Sequence, residues 1–214
     1  ALIHESDMTP GLANKLCIPS AAKVCCNFPE TVKCLPENKA VLTGTPIRQE
    51  LLSGDAREGL KFCGFNAAKP VILVIGGSLG SVAVNTAVRS ILPELLKDFQ
   101  VIHLCGKDKL DASLNGTEGY VQFEYIKDEL PDLFAAADLI ISRAGANAIC
   151  EISALAKPNI LIPLSANASR GDQILNARSF ERQGYSKVLE EESVNAQTLQ
   201  SAIREVYENR QTYI

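Results

Sequence analysis

The sequence predicts a doubly wound α/β protein, because short apolar runs alternate with helical segments along most of the chain. The run VILVI, residues 71–75, is continuously apolar, as in a parallel strand covered on both faces. The next segment, residues 82–98, places Val84, Val88 and Ile91 at helical spacing. A glycine-rich turn separates the two. Repeated strand–helix units of this length predict a parallel sheet with helices on both faces.

The remaining elements of this region follow from the same two patterns. Strands are predicted at residues 100–106, 120–126, 138–142, 159–164 and 186–191. Helices are predicted at residues 130–137, 146–157 and 172–184, with a last helix from about Asn195.

The first 45 residues have a different pattern. Strands are predicted at residues 1–5, 23–28 and 40–44, with a short helix at residues 10–18. The stretch TGTPIR, residues 43–48, is then interpreted as a crossing between two domains, stiffened by Pro46. The chain opens inside a predicted strand without a methionine and ends inside a predicted helix. We therefore expect a fragment.

Composition and charge argue against several function classes. The net charge of -4 is unlike the basic stripe of a nucleic-acid-binding surface. No apolar run approaches the roughly 18–20 residues of a membrane-spanning helix, and the start lacks a secretory pattern. The seven cysteines include no CxxC and no zinc spacing, which favours buried, reduced thiols in a cytosolic protein. We expect no metal and no cofactor.

A glycine loop follows the strand at residues 71–75. Gly77 and Gly80 let the backbone approach a ligand, the N–H groups of the following helix point towards it, and Ser78 adds a hydroxyl. The loop is not a Walker A sequence and does not match GxGxxG, which disfavours NAD. The alternative interpretation is a turn that is merely tightly packed.

A second such turn follows the strand at residues 138–142. Arg143, Gly145 and Ala146 lie where a helix begins, and a helix N-terminus with a nearby cation suits a diphosphate. Glu151 lies about two turns further, where a carboxylate matches the paired hydroxyls of a ribose. The alternative is that Arg143 and Glu151 form a salt bridge with each other or are simply solvated.

A third strand end carries Asp172, Gln173 and Asn176 at a helix start. Amides and carboxylates are good partners for sugar hydroxyls, although Asp172 could be only a helix cap. In open α/β sheets, ligands bind outside the carboxyl ends of the strands. The three strand ends together predict one site for a diphosphate-linked sugar.

Five stretches carry a family resemblance over essentially the whole chain: HESDMTPGLANK, GTPIR, GGSLGSVAVN, SRAGANAICEI and GDQILNA. In this order and spacing they resemble the MurG family, bacterial N-acetylglucosaminyltransferases that make lipid II. The resemblance implies the GT-B arrangement of two Rossmann-like domains. Residues 1–45 would be the tail of the N-terminal acceptor domain, and residues 46–214 the C-terminal donor-binding domain. The glycine-rich loop and histidine that open the family's acceptor domain are not matched.

The resemblance also implies residue roles. Ser78 would contact the phosphate side of the donor, Arg143 its diphosphate, Glu151 the ribose hydroxyls, and the backbone of Ile126 the uracil edge. Gln173 and Asn176 would lie beside N-acetylglucosamine, Arg48 at the domain junction, and Asn85 would be structural. His4, Glu5 and Asn14 match acceptor-side positions. The catalytic base is expected on the unmatched part of the acceptor domain, with His4 and Glu5 as weak candidates.

The implied reaction is an inverting transfer of N-acetylglucosamine from its UDP carrier to lipid I, the undecaprenyl-pyrophosphoryl muramyl-pentapeptide. The family acts peripherally at the cytoplasmic face of the cell membrane, mainly through the acceptor domain. We expect this piece to bind the donor yet transfer poorly alone. Two alternatives remain open: another UDP-sugar transferase of GT-B type, such as one that glucosylates diacylglycerol, and a nucleotide-sugar-binding subunit without catalysis.

Overall fold

The computed structural model describes residues 1–77, 79–167 and 170–214. The strands are β1 (Leu2–Glu5), β2 (Lys23–Cys26), β3 (Ala40–Leu42), β4 (Val71–Ile75), β5 (Gln100–Leu104), β6 (Tyr120–Phe123), β7 (Leu139–Ser142), β8 (Asn159–Leu161) and β9 (Lys187–Val188). The helices are α1 (Leu12–Cys17), α2 (Pro29–Val32), α3 (Ala56–Phe62), α4 (Val82–Asp98), α5 (Leu130–Ala136), α6 (Ala146–Ala154), α7 (Asp172–Arg182) and α8 (Ala196–Glu208).

The described strands form two parallel sheets. The smaller has the order β1-β2-β3, and the larger has six strands in the order β6-β5-β4-β7-β8-β9. Renumbered within the larger sheet, this order is 3-2-1-4-5-6, the doubly wound order of dinucleotide-binding folds. The predicted α/β class with a doubly wound parallel sheet is confirmed. The boundary between residues 45 and 46 stays a prediction.

The core of the larger sheet explains why its strands are continuously apolar. Along β4, Ile72 and Val74 pack with α4 and α8 on one face. Val71 and Leu73 pack with α5 and Leu51 on the other face. Because successive strand side chains point to opposite faces, a strand covered on both sides needs apolar residues at every position.

Two of the α-helices were not predicted from the sequence. One is α2, and the other is α3, which is capped by Asp55: its carboxylate accepts from the Arg57 N–H at 2.7 Å. Several strands are also shorter than predicted; β8, for example, ends at Leu161 rather than at residue 164. The carbonyls of residues 162 and 163 accept from a side chain described below, while the Ile162 N–H still donates to the Ser142 carbonyl of β7 at 2.8 Å.

The cysteines depart in part from expectation. All seven are free, and Cys26 and Cys105 are buried, but Cys17 and Cys34 are exposed. Cys17 ends α1, none of whose residues is buried. Burial of a thiol depends on what covers its helix, which these local sequences do not encode.

Candidate functional site

The centre of the larger sheet is the point where its winding reverses. β4 and β7 lie side by side, and the chain leaves β4 towards β5 on one side and leaves β7 towards β8 on the other. In doubly wound sheets a crevice opens at the carboxyl ends of the two strands at this switch point. The two turns singled out in the sequence are the ones that follow β4 and β7.

The turn after β4 is shaped by close backbone contact. Gly80 has φ +69°, and a Cβ there would lie 2.0 Å from the carbonyl oxygen of Cys105. Gly106 faces it with φ +87°, and a Cβ there would lie 2.4 Å from the Gly80 Cα. Gly77 has φ +85° and open space around it. Ser78, predicted to contact phosphate, lies outside the described residues.

A buried row of hydrogen-bonded side chains reaches the Cys105 carbonyl, which forms part of this contact. Asn85 donates from its amide to the Cys105 carbonyl at 2.9 Å, so its Oδ1 faces His103 Nε2 at 3.0 Å. Nε2 therefore carries the proton, and Nδ1 accepts from the Tyr120 hydroxyl at 3.0 Å. Burial, reinforced by the positive charge of Arg89, lowers the pKa of His103 to about 3. The structural role expected for Asn85 fits these contacts.

Arg143, in the turn after β7, is bonded on several sides. Nη1 donates to the carbonyls of Ile162 and Pro163, both at 3.1 Å. Nη2 donates to Ser81 Oγ at 2.6 Å and to the carboxylate of Glu191. Its side chain is only 11% exposed. Arg143 thereby ties the carboxyl end of β7 to β8, to the start of α4 and to the turn after β9, and Glu191 neutralises its charge.

Glu151 pairs with a different residue. Its Oε1 accepts from Arg48 Nε at 2.9 Å, across 103 positions of sequence. Both alternatives considered from the sequence are therefore wrong: Arg143 and Glu151 neither pair with each other nor stand free in solvent. Each ionised group has a partner from another part of the chain.

Two adjoining spaces open at this edge. The glycine-loop cleft has a volume of about 380 Å³, and the apolar pocket has about 140 Å³. They share Ile75, Gly77 and Ala148. The cleft is further lined by Gly76, Leu79, Gly80, Ser142, Arg143, Gly145, Leu164 and Gln173. The pocket is further lined by Leu104, Glu124, Tyr125, Ile126, Leu130, Phe134, Glu151 and Ile152.

The first N–H groups of α6 lie at the cleft and have no hydrogen-bond partner among the residues that the structure describes. Gly145 is its N-cap and no side chain caps the helix. The first N–H groups of a helix have no intrahelical partner, and the helix dipole makes this end positive. Gly145 and Ala148 line the cleft, while Ala146 between them is buried. A helix end of this kind has the charge and the free donors that suit an anion.

Gln173 also faces the cleft. Its Oε1 accepts from the N–H groups of Ala144 at 3.3 Å and Leu164 at 3.0 Å, which fixes the amide orientation. Its Nε2 makes no hydrogen bond to the residues that the structure describes. This amide therefore offers donors at the wall of the cleft.

Ile126 lies in the apolar pocket with its side chain in the core. Its backbone N–H and C=O make no hydrogen bond to any part of the chain that the structure describes. A peptide N–H and C=O without chain partners beside a pocket can hydrogen-bond a ligand that offers a complementary acceptor and donor. Tyr125, which precedes it, places an exposed ring at the rim.

Asn176 does not reach either space. It is 0% exposed: its Oδ1 accepts from the Met8 N–H at 3.0 Å, and its amide donates to Asp7 at 3.0 Å and to the Ala144 carbonyl at 3.5 Å. A direct sugar contact by Asn176 is therefore not supported; the residue joins the loop after β1 to α7. Asp172 similarly accepts from Thr9 Oγ1 at 3.3 Å and pairs with Arg170.

His4, Glu5 and Asn14 come together at the end of β1. Glu5 is buried and accepts from the N–H groups of Asp7 and Gly11 at 3.0 and 2.9 Å and from Asn14 Nδ2 at 2.8 Å. His4 Nε2 donates to the Gly44 carbonyl at 3.0 Å. With its oxygens engaged by three donors, Glu5 organises the loop of residues 6–11 rather than offering a free base.

Several residues at the site were not assigned from the sequence, among them Ser81, Tyr125 and Glu191. A serine just before a helix is a common N-cap, and this signal could have revealed Ser81, whose Oγ accepts from the Val84 N–H at 3.2 Å. Glu191 lies 48 positions from Arg143, and nothing local marks the pairing.

Within residues 1–77, 79–167 and 170–214, no group of three or more His, Cys, Asp or Glu is placed to hold a metal ion. In the same ranges, no helix combines the length and the apolar character needed to cross a bilayer.

The doubly wound parallel sheet, with a crevice and an adjoining pocket at its switch point, defines an α/β protein of the Rossmann-like class. The profile of the glycosyltransferase family 28 C-terminal domain matches residues 71–214. The chain belongs to this family.

Individual relatives match the chain over essentially its whole length. The chain is 68% identical over 213 residues to the UDP-N-acetylglucosamine--N-acetylmuramyl-(pentapeptide) pyrophosphoryl-undecaprenol N-acetylglucosamine transferase of Lachnospira eligens, covering 100% of this chain and 60% of the relative. The protein of the same description from Clostridium novyi is 59% identical over 212 residues, with 99% and 59% covered. The chain thus spans about three fifths of the length of these curated relatives.

Solved structures show the same fold. The crystal structure of Acinetobacter baumannii MurG matches with a TM-score of 0.73 and 26% identity, covering 99% of this chain and 58% of that one. The calicheamicin glycosyltransferase CalG4 matches with a TM-score of 0.61 and 14% identity, covering 87% of this chain and 44% of that one. The second likeness concerns the fold alone.

Proposed function

We propose that this chain is the donor-binding part of a transferase that moves N-acetylglucosamine from UDP-N-acetylglucosamine to lipid I, the undecaprenyl-pyrophosphoryl N-acetylmuramyl-pentapeptide, to form lipid II. The observation that carries the proposal is the continuity of the glycine-loop cleft with the apolar pocket. A nucleoside diphosphate sugar has a flat base at one end, whose faces pack well against apolar side chains, and charged phosphates with a polar sugar at the other. The two spaces differ in the same way.

In this proposal the uracil enters the apolar pocket, where the Ile126 backbone offers one donor and one acceptor to its edge. The ribose hydroxyls donate to Glu151, which lines the same pocket. The diphosphate lies against Gly77 and the start of α6, and the sugar extends towards Gln173.

The transfer step requires that negative charge on the departing UDP be stabilised. As the bond from the anomeric carbon to the diphosphate breaks, negative charge grows on the departing UDP and the sugar gains oxocarbenium character. N–H groups fixed at the start of α6 stabilise that charge without reorganising. Arg143 has its Nη groups bonded to protein atoms, so we assign it chiefly to holding the turns in place. Its Nε–H makes no hydrogen bond within the described part of the chain, and we assign it to a phosphate oxygen. The acceptor attacks from the opposite face, which inverts the configuration.

The whole reaction needs the remaining two fifths of the relatives' length, which we assign to acceptor binding and to the catalytic base. Because lipid I is anchored by its polyprenyl chain, we place the enzyme peripherally at the cytoplasmic face of the bacterial cell membrane. On its own, the present chain should bind the donor and transfer little.

Calorimetry with UDP and ADP tests the binding step. The chain should prefer UDP by at least about tenfold, because the pocket edge at Ile126 is small and specific. Equal affinity for the two nucleotides would contradict the proposal. Adding the N-terminal part of the Lachnospira eligens relative, with lipid I or a diglyceride as acceptor, tests the transfer step. Product from the diglyceride alone would show a different UDP-sugar transferase, and donor binding without any product would show a binding subunit.

A further inference from the structure

Arg48 connects the segment between the two sheets to the carboxylate of the apolar pocket. Arg48 is the last residue of the predicted crossing TGTPIR, and a 3₁₀ helix at Gln49–Ser53 follows it. Its Nε–H donates to Glu151 Oε1 at 2.9 Å. The hydrogen bond to Glu151 is the largest cause that raises the pKa of Arg48, and the nearby Tyr125 and Glu50 contribute in the same direction.

The two partners differ in their freedom. The Arg48 side chain is 53% exposed, whereas that of Glu151 is 18% exposed and rests on α6. Only Oε1 of Glu151 is engaged; Oε2 makes no hydrogen bond to the residues that the structure describes. The ion pair therefore fixes one oxygen of the carboxylate and leaves the other as an acceptor in the pocket.

We propose that Arg48 is a positioning residue that holds Glu151 by Oε1, so that Oε2 is presented to the ribose 2′- and 3′-hydroxyls of the donor. The inference rests on the proposed function and deepens it, because it extends the ribose site to a residue of the interdomain crossing. Arg48 itself touches no ribose atom; it acts through Glu151.

Two physical consequences distinguish this role from general support of the fold. First, removing Arg48 frees the Glu151 carboxylate to rotate, which weakens only those ligands that use the ribose hydroxyls. Second, the effect of Arg48 disappears once Glu151 cannot act as the acceptor. Because the pair is partly exposed, the effect is modest, about fivefold in the dissociation constant. Lysine keeps the charge but lacks the Nε–H of the guanidinium, so it should restore part of the affinity.

The experiment is calorimetric titration of the chain with UDP and with 2′,3′-dideoxy-UDP. The variants are Arg48→Ala, Arg48→Lys, Glu151→Gln and the double variant Arg48→Ala/Glu151→Gln. Arg57→Ala is the matched control, since Arg57 is an exposed arginine on α3 with no side-chain partner among the described residues. Melting temperatures measured in parallel confirm that each variant is folded.

Support for the inference requires that Arg48→Ala weakens UDP about fivefold and leaves 2′,3′-dideoxy-UDP unchanged, that Arg48→Lys lies between, and that the double variant matches Glu151→Gln alone. Equal loss for both nucleotides, or no loss for UDP, overturns the role of Arg48 while the proposed function stands. If the unchanged chain binds no UDP, the proposed function fails and this inference falls with it.

Discussion

The guanidinium of Arg143 donates to the carboxylate of Glu191, which enters the site from the turn after β9. The same guanidinium also donates to Ser81 Oγ at the start of α4. One largely buried cation thus joins three segments that meet at the switch point of the sheet. Because Glu191 neutralises its charge, Arg143 would act on a donor diphosphate mainly by ordering these segments rather than as a free positive charge.

Arg143→Lys should destabilise the chain by about 2 kcal/mol. Lysine supplies a point charge but cannot reproduce the planar fork that reaches Ile162, Pro163, Ser81 and Glu191 together. Urea unfolding measures the change. Arg204→Lys, at an exposed position on α8, is the control and should leave stability nearly unchanged. Equal stability of both variants would show that the network contributes nothing.

Gly80→Ala should destabilise by about 3 kcal/mol or more. Its backbone is in the left-handed region, and the added Cβ would meet the Cys105 carbonyl at 2.0 Å, where only backbone movement gives relief. Gly116→Ala is a matched control, because Gly116 has φ +77° and a Cβ added there would have nothing within 4 Å. Gly116→Ala should lower the free energy of unfolding by only about 1 kcal/mol, which is the cost of placing alanine at a positive φ without a steric clash. Thermal unfolding that finds the two variants equally stable would contradict the close approach.

Glu151→Gln should weaken UDP binding about tenfold and 2′,3′-dideoxy-UDP binding little. A neutral amide is a weaker acceptor than a carboxylate and also loses its charge-assisted bond to Arg48. Glu94→Gln, on an exposed part of α4, serves as the control. If Glu151→Gln weakens both nucleotides equally, the carboxylate does not contact the ribose.

The lowered pKa of His103 should make the stability of the chain depend on pH. Burial lowers its folded pKa to about 3 from an ordinary value of 6.5, so the unfolded chain takes up the proton first. The contribution is complete above about pH 6.5 and shrinks as pH falls towards 3, because protons then favour the unfolded chain. Between pH 7.5 and pH 5 the chain should lose about 2 kcal/mol through this group.

The variant His103→Gln separates this contribution from those of other titrating groups. It cannot titrate, so its stability should fall less over the same interval, whatever its absolute stability at pH 7.5. Urea unfolding of both proteins at pH 7.5 and pH 5 gives the two differences. Equal differences would show that His103 is protonated as readily in the folded chain as in the unfolded one.

Asn176→Ala should destabilise by about 1–3 kcal/mol, because the Met8 N–H and an Asp7 oxygen lose their partner in a buried place. UDP affinity should stay within about twofold, since the side chain reaches neither the cleft nor the pocket. Faster amide exchange in residues 6–9 would locate the damage at the loop after β1. A large loss of UDP affinity at unchanged stability would instead return Asn176 to the donor site.

Much of the candidate site could be predicted from local pattern. Gly77, Gly80, Arg143, Gly145, Glu151 and Gln173 all line the two spaces at the switch point. They could be found because strand ends and helix starts are encoded locally, and parallel strands bring their carboxyl ends to one edge. The placement of Asn176 beside the sugar stays a prediction, and its contacts with Met8 and Asp7 could not be read from the sequence. A polar residue in the second turn of a helix can face a ligand or another part of the chain with no difference in sequence.

The sequence by itself determined the alternation of strands and helices, the parallel sheet and the two turns that meet at its centre, because apolar periodicity and glycine positions act over a few residues. Only the tertiary structure decided the ion pairs. Arg143 pairs with Glu191, and Arg48 pairs with Glu151, across 48 and 103 positions of sequence. Such partners are chosen by the approach of distant segments, and the charges carry no local sign of which approach will occur.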